Sequence, residues 1–171
     1  MKHIIHILVA CTLATILSAA PSLVQNSRKK AADTQKCLEI ELNNPDGKAI
    51  KLSDTYKKNK YTLIDFWASW CGPCMGEVPY LVDAYAEYHS KGFEIYGVSL
   101  DREKDPWVNA ISKNKMDWKH VSDLKFWDCV AARAYNVNSI PANYLVDSKG
   151  NIVARNLRGP ALSQTLSKLL K

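Results

Sequence analysis

One run of residues carries most of the structural information in this chain: Tyr61-Thr62-Leu63-Ile64-Asp65-Phe66-Trp67-Ala68-Ser69-Trp70-Cys71-Gly72-Pro73-Cys74. Its first seven residues are almost continuously apolar, which is typical of a central strand buried on both faces. Beyond the second cysteine, apolar residues recur at intervals of three and four, which predicts a helix with one buried face. These residues are Val78, Leu81, Val82, Tyr85 and Tyr88. The sequence therefore predicts that Cys71 lies where a buried strand ends and a helix begins.

This predicted position favours a reactive thiol at Cys71. Free backbone N–H groups and the helix dipole stabilise a negative charge at a helix N-terminus, and the thiolate is the nucleophilic form of cysteine. Pro73 fits the first helical turn, where a missing N–H costs nothing. Cys74 lies one turn further along and can attack a mixed disulfide at Cys71. We therefore expect Cys71 to be exposed and attacking, and Cys74 to be shielded and resolving.

Two acidic residues are candidates for moving protons at this pair. Asp65 falls within an apolar strand, where a carboxylate is costly unless it has a partner or a task, and burial would raise its pKa into a useful range. Glu77 follows Cys74 by three residues, and its side chain is directed back toward the motif. Two structural alternatives remain open at this point: a hydrogen-bonded carboxylate for Asp65, and a solvated acid favoured by the helix dipole for Glu77.

The rest of the chain predicts an α/β fold with a mixed central β-sheet flanked by helices. The other predicted elements are, in chain order, strands at 37–42 and 48–52, a strand at 93–100, a helix at 106–111, an extended piece at 118–121, a helix at 126–135, strands at 142–146 and 152–156, and a helix at 162–170. The first two strands should form a hairpin, because turn-forming residues lie between them. The strand, helix and strand around the two cysteines should form a right-handed parallel crossover.

The first twenty residues differ from the rest in composition. Lys2 precedes an apolar stretch that ends in small residues, which is the layout of a signal peptide over residues 1–20. Residues 21–36 are expected to be a linker and residues 37–171 the folded domain. The apolar stretch could instead remain as a membrane anchor, although it is short for a span, and the segment 8–11 resembles a lipoprotein processing site. The expected location is therefore periplasmic or secreted, with an anchored or lipoprotein form as the alternative.

Composition favours a globular domain and gives no sign of nucleic-acid binding. The 171 residues are 47% hydrophobic and 23% charged, with a net charge of +6. The densest basic cluster, residues 28–30, lies in the predicted linker and is interpreted as solvated. His89 and His120 are expected at the surface. No cofactor is predicted.

The five cysteines allow more than one arrangement. Cys11 would leave with the signal peptide, so that Cys37 and Cys129 remain beside the close pair. They could form a second disulfide, which persists outside the cytosol, or remain small buried thiols. A zinc site built from all four is disfavoured because the spacing is irregular, and no metal site is predicted.

Residues 66–74 resemble the active-site segment of the thioredoxin superfamily, and Asp65 matches the buried aspartate of thioredoxin itself. More of the chain is similar to the extracytoplasmic TlpA/ResA-like branch, over roughly residues 38–159. The matching segments are Asp46-Gly47-Lys48, Leu52-Ser53-Asp54, Glu77-Val78-Pro79, Gly97-Val98-Ser99-Leu100-Asp101, Ile140-Pro141-Ala142 and Asp147-Ser148-Lys149-Gly150. The resemblance implies a thioredoxin-like fold with an N-terminal β-hairpin and an insertion before the second half of the sheet.

The resemblance also implies roles for particular residues. Ile140-Pro141 should be a cis-proline loop that faces the cysteines, offers backbone hydrogen bonds to an extended substrate and keeps metal away from the thiols. Glu77 matches the active-site glutamate of ResA-like members. Substrate contact is expected from that loop and from the exposed part of the motif, which comprises Trp70, Gly72 and Pro73. Ala142 replaces the threonine found in many members, which should alter substrate contact more than chemistry.

The predicted function is that of an extracytoplasmic thiol–disulfide oxidoreductase. The resemblance implies a protein-disulfide reductase that is recharged by a membrane electron donor and takes part in cytochrome c maturation. Thioredoxin, which shares the Gly72-Pro73 dipeptide, has a potential of about −270 mV. The alternatives are a disulfide oxidase or isomerase that uses the same residues, and a non-enzymatic metal carrier, which is disfavoured because no histidine is well placed. A peroxidase is disfavoured because no threonine lies two residues before an active cysteine.

Overall fold

The computed structural model describes residues 35–171, in which seven strands form a single sheet. The strands are β1 (Glu41–Asn43), β2 (Ala49–Lys51), β3 (Tyr61–Trp67), β4 (Phe93–Ser99), β5 (Lys119–Ser122), β6 (Ala142–Asp147) and β7 (Ile152–Arg155). The helices are α1 (Leu52–Tyr56), α2 (Gly72–Tyr88), α3 (Lys104–Lys113), α4 (Val130–Ala134) and α5 (Ala161–Leu169). Short 3₁₀ turns occupy His89–Lys91 and Phe126–Asp128. The predicted signal peptide and most of the predicted linker lie outside the described residues.

The sheet is mixed, and its strand order is β2-β1-β5-β4-β3-β6-β7. Strands β3, β4 and β5 are parallel. Strand β6 pairs antiparallel with β3, and β7 pairs antiparallel with β6. The β3–α2–β4 unit is the predicted parallel crossover. The predicted fold class, a mixed sheet flanked by helices, is confirmed.

Strands β3 and β4 form the centre of the core because both are flanked by other strands and covered by helices. All seven residues of β4 are buried, as are the last six of β3. This burial explains the unbroken apolar sequence around Asp65. A rigid, buried strand thus leads directly into the segment that carries Cys71.

The N-terminal hairpin is shorter than predicted. Residues 37–40 lie outside any strand, because the backbone before β1 is bonded to the β6–β7 turn. Cys37 N donates to Gly150 O at 2.8 Å, and Ile152 N donates to Gln35 O at 2.9 Å. The hairpin itself joins the main sheet through the antiparallel pairing of Asn43 with Ser122.

The predicted helix at 126–135 is also wrong as a single element. It is divided into the 3₁₀ turn Phe126–Asp128 and α4, because the extended ψ of Cys129, 121°, interrupts the helical backbone. Leu124 and Phe126 just before it have positive φ angles of 56°. This segment is therefore an irregular loop that presents its side chains near the start of α2.

No helix within residues 35–171 has both the length and the apolar character needed to cross a bilayer.

Candidate active site

Cys71 and Cys74 form a disulfide at the start of α2, with their Cα atoms 5.2 Å apart. Cys71 is the N-cap residue in an extended conformation, and its Sγ accepts a hydrogen bond from Cys74 N at 3.1 Å. Pro73 lies in the first turn, as predicted. The Cys71 sulfur thus already lies where helix N–H groups stabilise a thiolate once the bond is reduced.

The expected exposure of Cys71 is not observed in this disulfide form. Cys71 is 5% exposed and Cys74 3%. Cys71 is covered because its sulfur turns back over the first turn of α2 to meet Cys74. Around it, Gly72 and Pro73 are exposed, and Trp70 is 48% exposed. A substrate therefore reaches the disulfide by lying across these neighbours.

The turn before Cys71 is held by Asp101, a residue to which sequence reasoning gave no site role. The buried Asp101 carboxylate accepts hydrogen bonds from Ser69 N at 3.1 Å, Ser69 Oγ at 2.5 Å and Ser99 Oγ at 2.6 Å. These bonds connect the end of β4 to the residue two positions before the cysteine. They satisfy a buried charge and fix the entry into α2.

Asp65 lies on β3, opposite Gly97 of β4 and Asn143 of β6. It is 4% exposed, and no side-chain hydrogen bond reaches its carboxylate from the described residues. Burial raises its pKa to about 7, the positive charge of Arg158 lowers it, and the negative charge of Glu77 raises it. A group with this pKa can take up and release a proton near neutral pH.

Glu77 is half-buried and is bonded to the loop that follows β7. Its Oε2 accepts a hydrogen bond from Gly159 N at 2.7 Å. The carboxylate is therefore anchored rather than freely solvated, and its charge acts on Asp65. The structure brings the two predicted acids into one electrostatic site.

Arg158 is a site residue that sequence reasoning missed. Its guanidinium donates hydrogen bonds to the carbonyl oxygens of Pro141 and Leu157, and its charge acts on Asp65. Asn143 fixes the same loop through two hydrogen bonds of 2.9 Å: its Nδ2 donates to Leu157 O, and its Oδ1 accepts from Leu157 N. The available signal was a basic residue directly before Gly159-Pro160, but nothing in the sequence placed it near Pro141 or Asp65.

The Ile140–Pro141 peptide bond is cis. Strand β6 begins at the next residue, and Ala142 pairs with Phe66 of β3. Because β3 leads into the cysteine segment, this pairing brings the proline loop to the same edge of the sheet. Ile140 and Pro141 are half-buried, so part of each is available for contact.

Cys37 and Cys129 are free thiols, so the suggested second disulfide is not formed. Their surroundings differ. Cys37 is half-buried near Gly150 and the Tyr135 hydroxyl, whereas Cys129 is fully buried at the start of α4. Burial raises the pKa of both, to about 11 for Cys129. Both are therefore protonated and weakly reactive at neutral pH.

His120 is buried, not exposed as expected. Its ring packs between Trp67 and Trp118, with centroid separations of 5.5 Å to each. Its Nε2 hydrogen-bonds Met116 O at 3.1 Å, and burial lowers its pKa to about 4. Gly97 makes room for it, since a Cβ there would lie 2.8 Å from the His120 Nδ1.

Within residues 35–171, no three histidine, cysteine or acidic side chains converge as metal ligands would.

Comparison with known proteins gives consistent relatives. The AhpC/TSA family model matches residues 34–155. The chain is 32% identical to the thiol-disulfide oxidoreductase ResA of Bacillus subtilis over 66% of its length and 60% of that protein's. It is 31% identical to the ResA of Bacillus thuringiensis over 74% of its length and 69% of that protein's.

Two solved structures share the fold. One is the thioredoxin domain of a thiol-disulfide oxidoreductase from Bacteroides vulgatus, with 36% identity, a TM-score of 0.74, and coverage of 82% of this chain and 99% of that one. The other is a thiol-disulfide oxidoreductase from Bacteroides fragilis, with 33% identity, a TM-score of 0.74, and coverage of 80% and 100%. The chain therefore belongs to the AhpC/TSA family and has the thioredoxin-like fold of these oxidoreductases.

Proposed function

We propose that this protein reduces disulfides in polypeptide substrates outside the cytoplasm, with Cys71 attacking and Cys74 releasing the product. The observation that carries the proposal is the disulfide at the N-terminus of α2, at the edge of the sheet where the cis-proline loop Ile140–Pro141 also lies. Cys71 is the attacking residue because it is the N-cap and lies next to the exposed Gly72. Cys74 is buried inside the helix, which suits attack on a bond already held at Cys71.

The reaction transfers two electrons and two protons from the two enzyme thiols to the substrate disulfide. The Cys71 thiolate attacks one sulfur of a substrate disulfide, so that a mixed disulfide forms and the other substrate sulfur leaves as a thiolate that takes up a proton. Cys74 then loses its proton and attacks the Cys71 sulfur. The second substrate sulfur leaves, and the enzyme ends with the Cys71–Cys74 bond seen here. Two electrons have passed to the substrate.

Asp65 is the proposed proton acceptor for Cys74. Its pKa of about 7 leaves a large ionised fraction at neutral pH and allows the proton to be returned. Arg158 and Glu77 act on it with opposite signs. Burial therefore raises the pKa of Asp65, and Arg158 and Glu77, which both lie at the loop after β7, adjust it further.

In an oxidising compartment the reduced form must be regenerated, so we assign a membrane thiol–disulfide donor as its electron source. The signal-peptide pattern of residues 1–20 supports this location. The resemblance of the sequence to the TlpA/ResA-like branch implies a place in cytochrome c maturation, which we include in the proposal. Haem attachment uses the two cysteines of a C-x-x-C-H motif, and a reductase would keep such cysteines available.

The redox potential of the Cys71–Cys74 pair tests the direction of the reaction. It should be measured in glutathione or dithiothreitol buffers with Cys37 and Cys129 replaced by serine, so that only one couple titrates. A reductase predicts a potential near or below about −250 mV. A value between about −120 and −180 mV would instead make the protein an oxidase or isomerase.

A further inference from the structure

An aromatic surface lies beside the reactive disulfide and takes no part in the chemistry described above. It consists of Trp70, Phe126 and Trp127, and we refer to it as the aromatic ledge. The Trp70 ring lies 5.0 Å from that of Phe126 and 6.2 Å from that of Trp127. The Arg102 guanidinium stacks on Phe126 at 4.3 Å. Trp70 and Trp127 remain 48% and 37% exposed.

The loop that carries the ledge is held in an unfavourable backbone conformation. Leu124 and Phe126 both have φ of 56°, a left-handed region that residues other than glycine rarely occupy. The conformation is maintained by side-chain bonds to the backbone: Asp123 Oδ2 accepts from Val130 N at 3.0 Å, and Ser122 Oγ accepts from Leu124 N at 3.0 Å. Such conformations persist where the surroundings enforce them, and they cluster at binding sites. The fold thus fixes Phe126 and Trp127 against Trp70.

A cavity of about 290 Å³ opens between two residues of the ledge, Trp70 and Phe126, and the turn before Cys71, with room for a large side chain. Its lining residues are Ser69, Trp70, Asp101, Arg102, Glu103, Pro106 and Phe126. Arg102 and Glu103 carry opposite charges, and the Asp101 carboxylate is already occupied by Ser69 and Ser99. Asp101 is only 1% exposed, so the charged side chains most open to an occupant are those of Arg102 and Glu103, and the aromatic walls of the cavity favour an apolar occupant.

The position of the ledge identifies that occupant. Trp70 directly precedes Cys71, which is only 5% exposed, so the residues that flank a substrate sulfur at Cys71 lie against its exposed neighbours, of which Trp70 is the largest. We propose that the ledge binds a large apolar side chain next to the reacting cysteine of a polypeptide, so that the enzyme selects disulfides flanked by aromatic or large aliphatic residues. This inference rests on the proposed function, whose substrate class it narrows.

Competing peptides test the proposal. Two disulfide-linked peptide dimers, identical except for phenylalanine or alanine next to the cysteine, are reduced by the fully reduced protein, and the ratio of their rate constants is measured. We expect the wild-type protein to prefer the phenylalanine peptide by about tenfold, which is the discrimination expected when one large apolar side chain is buried. Trp127→Ala should reduce the ratio to about two, and Trp127→Phe should restore most of it. Val153→Ala, which removes a 44% exposed apolar side chain from β7, should leave it unchanged.

The ratio is independent of the direction of catalysis, because it can also be measured with the oxidised protein and the peptide thiols. If hydroxyethyl disulfide and both peptides are not reduced but the oxidised protein still discriminates between the peptide thiols, the proposed function fails and the ledge proposal stands. A wild-type ratio near one, or a full ratio in Trp127→Ala, would overturn the ledge proposal while the reductase function stands.

Discussion

Gly159 N donates a hydrogen bond to Glu77 Oε2 at 2.7 Å, which connects the loop after β7 to the second turn of α2. The neighbouring Arg158 bonds the carbonyl of Pro141, so the same loop also holds the cis-proline segment. The charges of Arg158 and Glu77 both act on Asp65, which lies on the strand leading to Cys71. One short loop therefore determines both the shape of the substrate-facing edge and the charge around the proposed proton acceptor.

Replacing Arg158 with methionine should raise the pKa of Asp65, because a positive charge that stabilises the carboxylate is removed. The ionised base would then appear at higher pH, and the rising limb of the kcat/KM profile should move upward by about one pH unit. Arg155→Met is the matched control, since Arg155 stacks on Tyr144 and is exposed. An Arg158→Met profile identical to that of Arg155→Met would contradict this role.

Replacing Glu77 with glutamine should shift the same limb in the opposite direction. The amide oxygen can still accept the hydrogen bond from Gly159, but the negative charge that raises the pKa of Asp65 is gone. The limb should move to lower pH by about half a unit to one unit. The check is the pH profile of Glu77→Gln in the Asp65→Asn background, where no shift between variants is expected.

Stability should depend on pH through two buried groups of opposite sign. The pKa of Asp65 is raised on folding, so its ionisation destabilises the protein as pH rises from about 4 to 7. The pKa of His120 is lowered to about 4 from an ordinary 6.5, so its stabilising contribution is lost as pH falls through this window. The two slopes oppose each other in the wild-type protein.

The Asp65→Asn variant should reveal the contribution of His120 to the pH dependence of stability. Urea titrations of the oxidised protein measure the effect. At pH 8 the free energy of unfolding of the variant should exceed that of the wild-type protein by about 2–4 kcal/mol. The free energy of unfolding of the variant should also rise from pH 4 to 6.5. A variant whose unfolding free energy stayed flat across that window would show that His120 does not titrate as its burial requires.

Replacing Asp101 with asparagine should destabilise the protein by about 2–3 kcal/mol, because three donors would share a weaker acceptor in a buried site. Ser69→Ala, which removes one hydroxyl bond and leaves the backbone bond, should cost about 1 kcal/mol. Chemical denaturation measures both. Equal losses in the two variants would mean that the carboxylate does not anchor the turn.

The local sequence was sufficient for the strand, the cysteine pair and α2, because a seven-residue apolar run and a three-and-four apolar spacing each specify one element. It was not sufficient for partners brought together from a distance. The bond from Ser69 to Asp101 spans 32 residues, and that from Glu77 to Gly159 spans 82. Neither bond leaves a periodic signal in the sequence.

Two predictions were wrong for identifiable physical reasons. His120 looks like a polar surface residue, but Gly97 opens a space beside Trp67 into which its ring fits. The segment 126–135 looks like a helix, but side-chain bonds from Asp123 hold its first part in an irregular loop. For His120 tertiary contacts override the local preference, whereas in the 126–135 segment local side-chain bonds to the backbone compete with the helix.

The most direct test of the account is to trap the exchange intermediate. Reduced Cys74→Ser protein is mixed with insulin, and the adduct is mapped by mass spectrometry after proteolysis, with Cys71→Ser as the comparison. The account predicts a stable mixed disulfide on Cys71 alone, no adduct in Cys71→Ser, and loss of insulin reduction in both variants. An adduct on Cys37 or Cys129, or continued reduction by Cys71→Ser, would contradict the assignment of Cys71 as the attacking thiol.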